Sequence, residues 1–210
     1  MARQAGEPSW VAQLAQRLEP LSTTWAPSGD GQQAAAVLAL LSLDDDPDLV
    51  LTMRAADLAH HAGQISLPGG RREPGDHCPS DTALRETYEE IDLPPTHVRP
   101  IGEMCPRELA VGNRVIPVVG VWSGQEAIAA RDGHEVELII RWPLSLLAAR
   151  DHRLIAHHPM GGHGPAWQIG DLFLWGFTAY IADALIRLSG WEQDWDKDHV
   201  VDVPARFRKP

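Results

Sequence analysis

Residues 82–93, TALRETYEEIDL, crowd Glu86, Glu89 and Glu90 onto one short segment, with Arg85 beside the first of them. Pro79, Ser80 and Asp81 supply start signals for a helix, and Pro94-Pro95 forbids its continuation. At about 100° per residue the three carboxylates fall within an arc of roughly 100°. Leu84, Tyr88 and Ile91 cluster on the opposite side, so an apolar face and an acidic stripe are expected. Taken alone, the helix fits a solvated face and a divalent-metal site about equally. Like charges at i,i+3 and i,i+4 oppose a helix by roughly 0.2–0.5 kcal/mol per pair. Arg85, four residues before Glu89, offsets only part of this, and no lysine is nearby. A magnesium or manganese ion, which takes several hard oxygen ligands, turns that repulsion into binding. Just upstream, Gly69 and Gly70 let backbone approach a ligand without a Cβ in the way.

From Gly70 to Leu93 the chain resembles the Nudix box, G-x5-E-x7-R-E-U-x-E-E-x-G-U, where U is a bulky aliphatic residue. Gly70, Arg85, Glu86, Glu89, Glu90 and Leu93 match it. Asp76 holds the first acidic position, eight residues separate it from Arg85, Thr87 stands at the first U, and Asp92 replaces the late glycine. Aspartate is a tolerable substitute in a left-handed turn. The resemblance implies a hydrolase of nucleoside diphosphates linked to another group, with Mg²⁺ or Mn²⁺ as cofactor. It implies Glu86 and Glu90 as metal ligands and Glu89 as a further ligand or as the residue that positions the attacking water. Arg85 would fix a glutamate, and the Gly69 carbonyl would add a ligand. The fold implied is α/β of the α+β type, an α/β/α sandwich with a mixed β-sheet.

The preceding stretch, LTMRAADLAHHAGQISLPGG, is similar to a longer signature of the coenzyme A diphosphatase branch of that family. Leu51, Thr52, Arg54, His61, Ala62, Gly63, Gln64 and the PGG are in register, whereas Ala55, Ala59 and Leu67 depart from it. The similarity spans about residues 33 to 188. It implies cleavage of coenzyme A or an acyl-coenzyme A to 3′,5′-ADP and 4′-phosphopantetheine. Arg54, His61, Gln64 and Gly70 form the expected substrate-binding set, with Arg54 and His61 meeting phosphates. The plainer reading, that His61 and Gln64 only hold the loop, is equally open. The general base is expected in the box itself or in a distant carboxylate, Glu135 or Glu137. ADP-ribose or NADH as substrate, and a nucleotide-sensing domain without catalysis, remain the alternatives.

Around this centre the chain divides into an N-terminal helix and linker (1–30), the main domain (31–190) and a tail (191–210). Val11, Leu14, Ala15 and Leu18 have amphipathic helical spacing within residues 8–20. The apolar run from Ala34 reads as a buried strand, with residues 49–54 as its hairpin partner. Residues 68–76 read as a loop, and strands are expected at 98–104, 113–122 and 166–175. Helices are expected at 142–150 and about 176–189, and the tail as a surface extension. The four histidines His60, His157, His158 and His163 lack zinc spacing and fall in loop composition. The eight tryptophans read as packing.

With 210 residues, 44% of them hydrophobic, the chain can bury one sizeable core. A net charge of −11 argues against a nucleic-acid partner but not against a phosphorylated small molecule met through metal ions. No membrane-spanning run and no secretory start are read, and Cys78 and Cys105 fit a reducing, cytoplasmic setting. The expected partner is a small-molecule nucleoside diphosphate; a homodimer is compatible with the sequence.

Overall fold

In the computed structural model, which describes residues 7–25, 33–58, 61–108, 113–131, 135–158 and 161–207, the apolar run from Ala34 lies inside a mixed sheet. In chain order the first half comprises α1 (Ser9–Ala15), β1 (Gln33–Ser42), β2 (Asp48–Arg54), β3 (Ile65–Ser66), β4 (Gly69–Arg71) and α2 (Pro79–Ile91). Next come β5 (Arg99–Glu103), β6 (Arg107–Glu108), β7 (Asn113–Trp122), β8 (Val136–Pro143) and α3 (Leu144–Ala148). The chain ends with β9 (Arg153–His157), β10 (His163–Ile169), β11 (Leu172–Leu174), α4 (Gly176–Ser189) and β12 (Val200–Asp202).

Strands β1 and β7 run parallel over their whole length, from Gln33 opposite Asn113 to Ser42 opposite Trp122. Helices cover both faces of this pair, so β1 reads as a continuous apolar run. Ala39 and Leu41 join a cluster with Trp10, Val11 and Leu14 of α1, Leu144 and Leu147 of α3, and Ile181 and Leu185 of α4. Ala36, Leu38 and Leu40 point the other way, into a cluster with Ala83 and Ile91 of α2. The expected α/β/α sandwich with a mixed sheet is thus present. Among the described residues, no helix is long and apolar enough to cross a membrane.

The expected hairpin opens early. β1 and β2 share only the Leu41–Leu49 pair, and the long partner of β2 is β8, from Asp48 opposite Pro143 to Arg54 opposite Val136. Beyond Leu49, β3 bonds to β2 and β4 bonds to β1. Gly69 to Arg71 is therefore not part of a loop. Its glycines pair with Ala36 and Val37, because residues without a Cβ let that backbone approach closely.

Further differences have local causes. The N-terminal helix ends at Ala15 because the backbone of Glu19 turns to exchange two hydrogen bonds of 2.9 Å with Glu103. Trp142 and Pro143 close β8, so the following helix starts only at Leu144. The expected strand at 166–175 is the hairpin of β10 and β11, turning at Gly170 with φ 58°.

The tail is not a surface extension. β12 pairs in parallel with β9, and β9 to β12 form a second, four-stranded sheet. Trp195, Val203 and Phe207 are buried. The Trp195 ring lies 4.3 Å from the guanidinium carbon of Arg153, a buried arginine that also faces Trp167 at 5.2 Å and pairs with Asp183. Trp195→Ala is expected to destabilise the protein by about 2–4 kcal/mol, since it removes packing and exposes one side of a buried cation. Urea unfolding checks this; a change under about 0.5 kcal/mol is what a loose surface segment gives.

Candidate active site

Helix α2 starts where Cys78 is extended and the Asp81 carboxylate accepts hydrogen bonds from the His77 and Cys78 amides at 2.8 and 3.2 Å. It ends at Asp92, left-handed at φ 57° and ψ 27°, whose N–H bonds the Tyr88 carbonyl at 3.1 Å. The substitution of aspartate for glycine is accommodated as expected.

The buried line of the helix runs through Ala83, Thr87 and Ile91, one residue off the expected Leu84–Tyr88–Ile91 face. Thr87 fits there because its hydroxyl donates to the Ala83 carbonyl at 2.7 Å, leaving the methyl to pack. Leu84 and Tyr88 are half-buried, and the Arg131 guanidinium lies 4.1 Å from the Tyr88 ring centre. This rotation decides the environment of the glutamates. Glu90 sits next to the buried line and Glu86 beside it, both half-buried, while Glu89 stays exposed.

The Glu90 carboxylate lies beside the Gly69 backbone, which favours its charged form. Its Oε2 is buried with no partner among the described residues. Burial pushes Glu90 up to about 8, and the Glu86 charge adds to this while the Arg54 charge opposes it. Burial also raises Glu86, against the pull of Arg85. Two raised carboxyls, one with an orphaned oxygen, are a donor set that a hard divalent cation completes. As they stand, no three Asp, Glu, His or Cys side chains converge as a finished cage among the described residues. Glu86 leans instead on Arg85, with Oε1 3.1 Å from Nη2.

Both glycines before the helix are required by contact. A Cβ on Gly69 (φ 150°) would stand 2.4 Å from the Ala36 carbonyl oxygen, and one on Gly70 would stand 2.4 Å from the Glu86 carboxyl carbon. Gly70 thus makes the space in which Glu86 sits.

Arg85 is the hub behind the glutamates. It donates to both oxygens of Asp76 at 3.3 and 3.1 Å, to the Arg71 carbonyl at 2.9 Å and to Glu89 at 3.1 Å. Asp76 is buried and also accepts from the Thr82 hydroxyl at 2.7 Å and the Glu73 amide at 2.8 Å. Burial alone would raise the Asp76 carboxyl, but Arg85, the Glu73 amide and Thr82 outweigh it and hold it below the ordinary range. The extra residue between Asp76 and Arg85 is absorbed by this turn. Thr82 carried no signal of its role; it is a threonine on a helix until Asp76 is seen beneath it.

The other candidates are placed as follows. Arg54 ends β2 at a register shift, with its Nε buried and without a partner among the described residues, and its charge acts on Glu90. His61 and Gln64 meet each other, Nδ1 to Oε1 at 3.1 Å. The exposed Glu135 adds to the charge that raises Glu90, and its carbonyl accepts the Ala55 amide at 3.0 Å; Glu137 is exposed on β8. His157 stacks on His163 with ring centres 4.9 Å apart, and His158 packs edge-on to Trp175 and Tyr180. His60 and Ala59 lie outside the described residues.

Comparison with known proteins agrees with this geometry. The NUDIX domain model matches residues 32–156. Nudix hydrolase NudL of Cronobacter sakazakii is 36% identical over 169 residues, covering 79% of this chain and 87% of that protein. NudL of Pectobacterium atrosepticum is 35% identical over 158 residues, covering 73% and 81%. In fold, the chain is similar to the crystal structure of a Nudix hydrolase from M. smegmatis, RenU, with a TM-score of 0.55 and 16% identity over 84% of this chain and 100% of that one. The fold and the box helix are those of a hydrolase that generally uses divalent metal ions. The chain belongs to the Nudix hydrolase family.

Proposed function

We propose that this Nudix hydrolase cleaves the diphosphate of coenzyme A and acyl-coenzyme A, releasing 3′,5′-ADP and 4′-phosphopantetheine or its acyl form. Glu86 and Glu90 would hold Mg²⁺ or Mn²⁺, with Glu89 and the Gly69 carbonyl completing the set; the observation that carries this is the half-buried Glu90, whose Oε2 is buried without a partner among the described residues. When bound, the metal neutralises diphosphate charge and lowers the pKa of a water molecule. The chain's own part is positional. Arg85, clamped on Asp76, holds Glu86 and Glu89 in place, and Arg54 presents its Nε–H, which has no partner among the described residues, to a phosphate oxygen beside Glu90. The attacking water's oxygen bonds one phosphorus, the anhydride P–O bond breaks towards the other phosphate, and the proton passes to a carboxylate. Glu135, whose charge is felt at Glu90, is the first candidate for that base, ahead of Glu137.

Two departures from the coenzyme A signature are packing changes. Leu67 and Ala55 are buried, so neither position offers a phosphate contact. Ala59 leaves the basic residue of the signature unreplaced, which keeps ADP-ribose and NADH in the comparison. A panel of coenzyme A, dephospho-coenzyme A, ADP-ribose and NADH, read by product mass, decides among them. Neglect of both coenzymes overturns the substrate reading, and nucleotide binding without turnover favours a sensing domain. The acidic surface argues against nucleic acid as partner, and a cytoplasmic setting agrees with the free Cys78 and Cys105.

Gly70→Ala tests the platform itself. The added methyl displaces the flexible end of Glu86, so the variant is expected to fold normally by circular dichroism. It is expected to lose about ten- to a hundredfold in kcat/KM and most of its thermal stabilisation by Mn²⁺. Wild-type behaviour in both assays contradicts the placing of Glu86.

A further inference from the structure

The carboxamide of Gln64 joins two distant parts of the chain. Its Nε2 donates to the main-chain carbonyl of Phe207 at 3.3 Å, across a sequence separation of 143 residues. Its Oε1 lies 3.1 Å from His61 Nδ1, and because an amide oxygen only accepts, Nδ1 is the donor. His61 itself has φ 58°, a left-handed conformation that strains a non-glycine residue. Local bonds hold it: the Gln64 amide to the His61 carbonyl at 3.1 Å, the Gly63 amide to the Arg54 carbonyl at 3.0 Å, and the Arg54 amide to the Gln64 carbonyl at 3.0 Å. The loop is thus stitched to the end of β2 that carries Arg54.

Phe207 is itself firmly seated. It stacks on Phe173 with ring centres 6.3 Å apart and packs with Leu154, Ala156 and Val203. A Cβ on Gly63 would come within 3.7 Å of its ring, so loop and tail are in near contact. Upstream, β12 is bonded to β9, and Trp195 covers Arg153.

We infer that the tail, residues 200–207, is a latch that positions the His61–Gln64 loop, and with it Arg54, for the substrate's phosphates; this rests on the substrate reading above. Phe207 is a positioning residue, acting through where its ring seats its carbonyl. The latch acts on substrate binding, and neither Phe207 nor Gln64 bonds a glutamate of α2 among the described residues.

The test uses the full chain and the variants Phe207→Ala, Phe207→Leu and Gln64→Met. In Phe207→Ala, amide exchange over residues 61–66 is expected to rise about tenfold or more. The KM for coenzyme A with Mn²⁺ is expected to rise about tenfold, with kcat within about twofold. The Mn²⁺-dependent rise in Tm stays as in wild type, and Phe207→Leu, which keeps an apolar seat, restores KM to within about threefold. Gln64→Met, which removes both bonds of the carboxamide, to the Phe207 carbonyl and to His61 Nδ1, gives a rise in KM at least as large, and Phe207→Ala adds nothing to it when the two are combined. Unchanged exchange in the loop overturns the latch, as do additive effects of the two substitutions. Faster exchange with an unchanged KM shows a purely structural tail and overturns the positioning role. If Phe207→Ala does not fold, Gln64→Met carries the same decision. A wild-type chain inactive on every diphosphate overturns the substrate reading instead, and the exchange data then decide the latch alone.

Discussion

Glu90→Gln is expected to abolish turnover and, without metal, to make the protein more stable. The activity loss is at least about a hundredfold, because the carboxamide keeps the shape but not the charge that a divalent cation needs. The stability gain follows from burial. Glu90 is pushed from its ordinary 4.5 up to about 8 by desolvation and by Glu86. A carboxyl whose folded value is raised costs the fold nothing while it is protonated in both states. The cost appears as pH rises above 4.5, grows until about 8, and is constant beyond. At pH 7 it is on the order of 3 kcal/mol, of which glutamine is expected to recover about 1–3 kcal/mol. Urea unfolding in a chelator checks the sign, and the gain should vanish below about pH 4.5. Added Mn²⁺ should then stabilise wild type and not the variant. A variant less stable than wild type in the absence of metal would mean that the Glu90 carboxylate already has a partner in place of the cation.

Arg85→Ala has the larger effect on the fold. Asp76 is buried, and its remaining bonds, from Thr82 and the Glu73 amide, do not neutralise it. Breaking one side of such a pair costs about 3–5 kcal/mol; since Arg85 is partly exposed, about 2–4 kcal/mol is expected here. Activity falls with it, because Glu86 and Glu89 lose the cation they lean on. Asp76 also dictates a pH signature. Its carboxyl is held below its ordinary 3.8, so the stability it contributes is present above that value and is lost as pH falls through the lower, folded one. In Arg85→Ala this acid-side loss should largely disappear, measured as a flatter dependence of the urea midpoint below about pH 4. An acid limb like that of wild type would show that Arg85 is not what holds Asp76 ionised. Arg85→Lys should rescue little, since a single ammonium cannot reach Asp76, Glu89 and the Arg71 carbonyl together.

Much of this site was legible in one stretch of sequence. The spacing of Glu86, Glu89 and Glu90 depends only on helix geometry, and helix geometry held. What failed was the choice of buried face. Leu84 and Tyr88 outrank Ala83 and Thr87 in size, yet close approach of the helix to β1 and β4 selects the small residues. That choice, invisible to a hydrophobicity count, is what half-buries Glu86 and Glu90. Gly69 and Gly70 looked like loop residues because strand propensity penalises glycine; their pairing with β1 is a tertiary demand. The tail was unreadable for a related reason. Trp195, Val203 and Phe207 follow no period, because they are buried against Arg153, Phe173 and Gly63, residues 30 to 140 or so positions away, and long-range packing leaves no local pattern. Arg54, His61 and Gln64 could be named from the sequence, but that Gln64 reaches Phe207 could not.

The most direct measurement is incubation of the purified chain with coenzyme A, with and without Mn²⁺, with products identified by mass. 3′,5′-ADP and 4′-phosphopantetheine are expected in equal amounts, formed only with metal and absent in Glu90→Gln. Equal turnover in a chelator, or full activity in Glu90→Gln, would contradict this.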